Sequence, residues 1–256
     1  MKKFIKIPLI VLRSILIFIV VWGVSNAFVK NIHQSILVSN FKSKGVYQED
    51  ISTSSTKFYK VESKEEKKAF TDNGGIVYPG TSTDILVTTQ VILTNNPMIN
   101  STVSFFVGGH AAFVNPSYGD YQLGSLKGNQ STIEATGLDE GKNYSAAFDP
   151  EDTWVEDNLY TEVIGLRVKL SDEKRREVTS LCSSLIGDEY NYSFVFDTVN
   201  KSYCSDLISK AYNKVGINLN KDGFVTTIYD LICSGDCYIS YYHVIKNDVK
   251  YIYYLG

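Results

Sequence analysis

Hydrophobic and polar positions fall into three textures along this chain. From Ser14 to Val29 there is almost no patterning: the run SILIFIVVWGVSNAFV carries no charge and would be apolar on every face of a helix. Lys2, Lys3, Lys6 and Arg13 precede it, the signature of an export signal or of an anchor with its N-terminus inside. The run is near the lower limit for crossing roughly 30 Å of hydrocarbon. Ile7–Leu12 lengthen it if Arg13 snorkels. Ser25-Asn26-Ala27 offers small residues for a signal peptidase, but run length favours a retained anchor. Residues 1–29 are therefore read as a signal-anchor or signal peptide, and either reading carries the remainder out of the cytoplasm, as a single-pass membrane protein or a secreted one. Residues 30–75, with the polar break Ser52–Thr56 and the charge-dense stretch around Lys57–Lys68, read as helix followed by linker, a stalk.

From about Ile76 the texture becomes that of a packed domain. Strands are predicted at Asp84–Thr89 and Ser131–Ala135, as a strand pair in Tyr160–Leu170, and through the aromatic, β-branched tail Tyr238–Tyr254, and Ser104–Val114 is an apolar run whose one titratable residue, His110, lies in a strand behind Gly108 and Gly109. A helical period replaces the strand texture twice. Ser171 is a plausible N-cap, followed by Val178, Leu181, Cys182 and Leu185 at helical spacing, with Gly187 as the stop. Cys204, Leu207, Ile208, Ala211, Tyr212 and Val215 form one apolar stripe, closed by Gly216. The expected body, residues 76–256, is α+β: a central antiparallel sheet with packed helices.

Composition narrows the partners. There are 25 Lys and Arg against 28 Asp and Glu, and four of the cations precede residue 14, so the body is acidic. A body without a basic stripe argues against nucleic acid and against anionic lipid as main partners. Four Cys and three His make a structural zinc site unpromising, and no metal or cofactor is expected. Cys233 and Cys237 enclose a short loop that a disulfide could close outside the cytoplasm.

Three residues carry the candidate chemistry. Cys204 opens a helix, where unpaired N–H groups and the helix dipole favour thiolate, so it can serve as a nucleophile or simply pack as a small core residue. His110 follows Gly108 and Gly109 in an apolar strand, a setting equally suited to a base or to a satisfied core histidine. Glu134 in Thr132-Ile133-Glu134-Ala135 could hold the second ring nitrogen of His110, or be an exposed strand-edge charge. His243 offers a rival base, lacking a flanking glycine and an obvious carboxylate partner.

Taken together, Asp84-Ile85-Leu86, Gly109-His110-Ala111-Ala112-Phe113, Thr132-Ile133-Glu134-Ala135, Gly187 with Tyr190-Asn191-Tyr192, and Tyr203-Cys204-Ser205-Asp206-Leu207-Ile208 resemble the circularly permuted NlpC-type cysteine hydrolases, the YiiX/YebB-like branch of the papain-like fold. The resemblance spans about residues 76–225, and Tyr203–Ile208 is its most specific part. It departs from the pattern at Ala112, where glycine is usual, at Asp206, where glutamate is commoner, and in the insertion-like stretch Gly137–Asn158. It implies a permuted papain-like domain in which Cys204 is the nucleophile, His110 the general base, Glu134 the orienting group and Tyr203 a substrate neighbour. The insertion would then reshape the groove without touching the chemistry. The implied substrate is a peptide or acyl-amide, with peptidoglycan peptide suggested by export. A lipid-directed acyl hydrolase or acyltransferase, and a binding module without turnover, remain as alternatives.

Overall fold

The structure, a computed structural model, describes residues 6–62, 70–73, 76–79, 83–91, 95–114, 132–136, 146–149, 154–155, 159–194, 200–223 and 225–256. In chain order the elements are α1 (Lys6–Lys42), β1 (Gly45–Gln48), β2 (Thr56–Val61), β3 (Phe70–Asn73), β4 (Ile76–Pro79), β5 (Ile85–Thr88), α2 (Pro97–Val107), β6 (His110–Val114), β7 (Thr132–Ala135), β8 (Ala146–Asp149), β9 (Glu162–Val168), α3 (Asp172–Ser184), β10 (Glu189–Tyr190), β11 (Lys201–Ser202), α4 (Cys204–Lys214), α5 (Ile228–Cys233), β12 (Cys237–Lys246) and β13 (Val249–Leu255). Nine strands make one sheet in the order β1-β2-β13-β12-β9-β5-β6-β7-β8. Every neighbouring pair in it is antiparallel except β2 with β13, which run parallel. The fold is thus mixed, with helices packed on a large sheet.

Local sequence explains the elements nearest the site. Asn96 caps α2 by accepting from the Met98 and Ile99 backbone N–H groups at 3.0 and 3.4 Å, and Pro97 supplies a preset φ at the first helical position. The helix ends at Gly108, where φ is +79° and a Cβ would lie 1.9 Å from Ile228 Cγ1. A Cβ on Gly109 would lie 2.3 Å from the Thr88 carbonyl oxygen. Two glycines therefore let the chain turn from α2 directly into β6, whose first residue is His110. Ser171 caps α3 as its sequence suggests, accepting from the Lys174 N–H.

The sheet interior is apolar on both faces, with Ile85, Leu86, Phe113, Ile133, Ile164 and Leu166 fully buried. One charged pair lies within it: Arg167 donates from Nη2 to Asp84 Oδ2 at 2.6 Å and from Nε to Oδ1 at 2.9 Å, both residues being buried. A buried guanidinium is tolerable because the carboxylate meets its fork in the bidentate geometry that replaces water.

Two expectations are corrected. Residues 30–75 are not a separate stalk: α1 continues to Lys42 and packs along α5, α2 and β12, while β1 and β2 join the main sheet through β13. The period of Thr56–Val61, buried at Thr56, Phe58 and Val61, is that of a strand on a core. The charge-dense residues 63–69 lie outside the described residues. The apolar run Ser104–Val114 holds the last turn of α2, the two glycines and then the strand expected at His110, β6. Tyr160–Leu170 supplies one strand, β9, rather than a pair.

The N-terminal half of α1 behaves differently from the rest. Of its residues, Val11 to Val24 expose their apolar side chains, whereas Ala27, Gln34, Val38 and Phe41 are buried against the domain. The helix is long and apolar enough to cross a membrane.

Candidate active site

Cys204, His110 and Glu134 come together where the N-terminus of α4 crosses β6 and β7. The sheet register explains the meeting. Glu134 pairs across from Ala112, and Ala112 lies on the same face of β6 as His110, two residues on. Glu134 Oε2 thereby reaches His110 Nε2 at 2.8 Å. With Nε2 engaged, the other ring nitrogen is left for the Cys204 thiol, to which the ring is also hydrogen-bonded.

The electrostatics follow from these contacts. Burial works against a charged His110, but the hydrogen bonds it donates to Cys204 and Glu134 and their negative charge push its pKa up to about 10. Burial likewise opposes a Cys204 thiolate; His110, together with the backbone N–H groups of Ser205 and Ala111, outweighs it and holds the thiol below its ordinary value. Glu134 is desolvated too, yet His110, Thr132 and Trp154 keep its carboxyl below the usual range. The three groups favour a thiolate–imidazolium pair backed by a carboxylate. Tyr203, the N-cap of α4, makes no side-chain cap hydrogen bond. Its hydroxyl instead accepts from the Thr226 N–H at 2.9 Å, which fixes its ring in the wall of the cleft beside Cys204.

Two contributors were not legible as such. Trp154 Nε1 and Thr132 Oγ1 both donate to Glu134 Oε1, each at 2.5 Å. The Trp154 ring also stacks on His110, with centroids 5.6 Å apart and planes at 19°, and Tyr160 lies against Trp154 at 4.7 Å. Trp154 belongs to the stretch Gly137–Asn158, whose expected indifference to the chemistry is therefore corrected: this residue touches two members of the constellation. Thr132 could have been found from period two, since it shares a strand face with Glu134.

His243 is elsewhere. It is buried in β12, with Nδ1 3.0 Å from the Tyr241 hydroxyl and Nε2 3.4 Å from the Tyr160 carbonyl oxygen. Burial and nearby Lys250 keep it neutral. Cys233 and Cys237 are free thiols, as is Cys182 in the core. Among the described residues no group of His, Cys, Asp and Glu is arranged to hold a metal ion.

The cleft over Cys204 measures about 270 Å³. Val103, Tyr160, Tyr190, Phe194, Tyr203 and Val225 give it an apolar, aromatic lining, and the polar groups Gln90, Thr136 and Thr226 are uncharged. A larger groove of about 540 Å³ between α1 and α2 touches none of the three central residues.

A cysteine at a helix N-terminus, a strand histidine and a carboxylate on the neighbouring strand define a papain-like arrangement, with histidine preceding cysteine in the chain. Residues 129–230 match the family model described as permuted papain-like amidase enzyme, YaeF/YiiX, C92 family. The matched region, which carries Glu134 and Cys204, is similar to that permuted papain-like family, under the YaeF/YiiX description rather than an NlpC-type one. His110 lies ahead of the matched residues. Among solved structures, the chain is similar to a crystal structure of the metalloprotein yiiX from Escherichia coli O157:H7, at 13% identity and a TM-score of 0.45, covering 62% of this chain and 95% of that one. No curated protein matches the chain.

Proposed function

We propose that this protein is a cysteine hydrolase that cleaves an amide bond through Cys204, His110 and Glu134, at the outer face of a membrane to which α1 tethers it. The observation that carries the reading is the continuous line of hydrogen bonds from thiol to imidazole to carboxylate at the start of α4. The Cys204 thiolate attacks the substrate carbonyl carbon; a C–S bond forms and the carbonyl π electrons move to oxygen. Backbone N–H groups at the start of α4, that of Cys204 among them, face this developing oxyanion. As the C–N bond breaks, the imidazolium of His110 gives its proton to the leaving amine, which leaves a thioester. His110, now neutral, takes a proton from water as the water attacks the thioester, and the acid and the thiolate are released. Glu134 keeps Nε2 protonated throughout, so the nitrogen facing the sulfur is the one that exchanges protons.

A cell-wall peptide is the substrate that export and the amidase family suggest. The apolar, aromatic lining of the cleft among the described residues favours the second reading, an acyl-amide or ester whose apolar part fills it. Both share the thioester step. Iodoacetamide alkylation of Cys204 across pH, in wild type, His110→Ala, Glu134→Ala and His243→Ala, tests the machinery. A thiolate formed well below about 8.5 and lost with His110→Ala but not with His243→Ala is expected; an ordinary thiol in every variant refutes the hydrolase. Muropeptides and N-acyl amides, offered in parallel with trapping of the acyl-Cys204 adduct by mass spectrometry, then separate the two substrate classes.

A further inference from the structure

We infer that α2 is a second membrane-contacting element, lying in the lipid interface beside α1 and holding the cleft at the bilayer surface. The inference rests on the reading of α1 as a membrane anchor and deepens the proposed function by placing the substrate. Four observations support it. The helix, PMINSTVSFFV, carries no charged residue. Its large exposed side chains are apolar, Met98 at 79%, Ile99 at 48% and Phe106 at 43%, beside the small hydroxyls of Ser101 and Thr102. At 100° per residue these three fall within about 100° of one face, which they share with Thr102, whose hydroxyl is turned onto the Met98 carbonyl oxygen.

The third observation is depth. Asn31 Nδ2 donates to the Phe105 carbonyl oxygen at 3.2 Å, which pins the end of α2 to α1 two residues beyond the uncharged run. Beside it, Lys30 is ion-paired to Asp222 at 2.9 Å and to Asp230 at 2.5 Å, so the domain begins where the apolar run ends. A rise of about 1.5 Å per residue puts α2 within a few ångströms of the hydrocarbon boundary. The fourth is continuity. Phe28, Ile32 and Ile36 of α1 line an open groove with Phe105 of α2, edged by the uncharged Asn31, Ser35 and Ser39, so the apolar surface of the anchor reaches α2 without meeting a charge. An uncharged helix sharing its surface with a lipid-facing helix fits a lipid interface better than a soluble partner.

Val103, on the adjoining face of α2, lines the cleft over Cys204. The reactive carbonyl is therefore presented at the membrane surface, and the substrate class is an amide or ester carried by a lipid, whether as a lipid-linked peptide or as an acyl lipid.

The test uses the full chain in phosphatidylcholine vesicles, with bromine on the acyl chain near the headgroup or near its end. Trp22 and Trp154 are the native indoles. Quenching of wild type beyond Trp22→Phe reports whether α1 is in the bilayer; quenching of Trp22→Phe/Ile99→Trp beyond Trp22→Phe reports α2. The expected result is strong quenching of the introduced indole by the shallow bromine and weaker quenching by the deep one. If Trp22 is quenched while the introduced indole responds only to acrylamide in the water, α2 is not interfacial and the inference falls while the anchor stands. If Trp22 is not quenched, the anchor reading falls and the inference with it. Met98→Trp repeats the measurement on the most exposed position of that face, should Ile99→Trp fail to fold.

Discussion

Replacing Glu134 with Gln puts the proposed role of the carboxylate under the most specific strain. In wild type, Oε1 accepts from both Trp154 Nε1 and Thr132 Oγ1 while Oε2 faces His110 Nε2. A glutamine has one oxygen for these two ends. If the oxygen turns to His110, the amide NH₂ faces the Trp154 N–H, and two donors meet in a buried site; Thr132 can rotate its hydroxyl, but the indole cannot. If the oxygen turns to Trp154, the NH₂ requires Nε2 to accept, which puts the proton on the nitrogen facing sulfur and leaves no base. An unmatched buried donor costs ~1–3 kcal/mol, and the lost charged hydrogen bond to the imidazolium ~1.5–3 kcal/mol. At about 1.36 kcal/mol per decade, the two amount to a roughly 100- to 10,000-fold loss of turnover. The thiolate titration seen by iodoacetamide should move up toward about 8.5. Trp154→Phe keeps the stacked ring and removes only the donor; alone it should cost roughly 10- to 100-fold, the value of one hydrogen bond to a charged group. In the Glu134→Gln background the same change removes the clash, so Trp154→Phe/Glu134→Gln should be no slower than Glu134→Gln and up to several-fold faster. Independent, multiplying losses in the double variant would refute the geometry argued here.

Turnover should rise as pH passes the lowered value of Cys204 and fall as His110 loses its proton toward about 10, because the active pair exists only between the two; a pH–rate profile without the alkaline fall would contradict the shared proton. Gly108→Ala forces a Cβ into Ile228 at φ +79° and should destabilise by ~2–3 kcal/mol, read as a fall of about 4–12 °C in the melting temperature. Arg167→Met strips Asp84 of its bidentate partner inside the sheet and should cost ~3–5 kcal/mol by urea titration, far more than a surface arginine would. His243→Ala should lower stability through its buried cavity and lost hydrogen bonds while leaving the alkylation profile of Cys204 unchanged.

What could be read in advance divides along a physical line. Capping, stop signals and side-chain period are local, so Ser171, Gly187, Gly216 and the stripe beginning at Cys204 announced two helices in nearly their observed bounds. The strand motifs around His110 and Glu134 were legible because their composition is local too, and their meeting could be proposed because a resemblance supplied the pairing. The parts that misled depend on distant partners. Thr56–Val61 has the residues of a strand, but its neighbour β13 lies almost two hundred residues away. The run Ser104–Val107, by contrast, suits helix or strand by composition, and a local signal, the Asn96-Pro97 start, makes it helix. Trp154 stood alone in a polar stretch with no period to place it, and only the tertiary fold brings its N–H to a carboxylate.

The position of β13 constrains how this molecule can be made. The C-terminal strand is an interior strand, inserted between β12 and β2, so the strands that follow α1 have no place in the sheet until Val249–Leu255 have been synthesised. Pairing of first strands with last is high contact order, which slows folding and leaves β2 an open edge meanwhile. A chain still being made would carry that open edge from the completion of β2 until Val249–Leu255 emerge. Loss of only the last few residues should therefore release the beginning of the domain as well as its end.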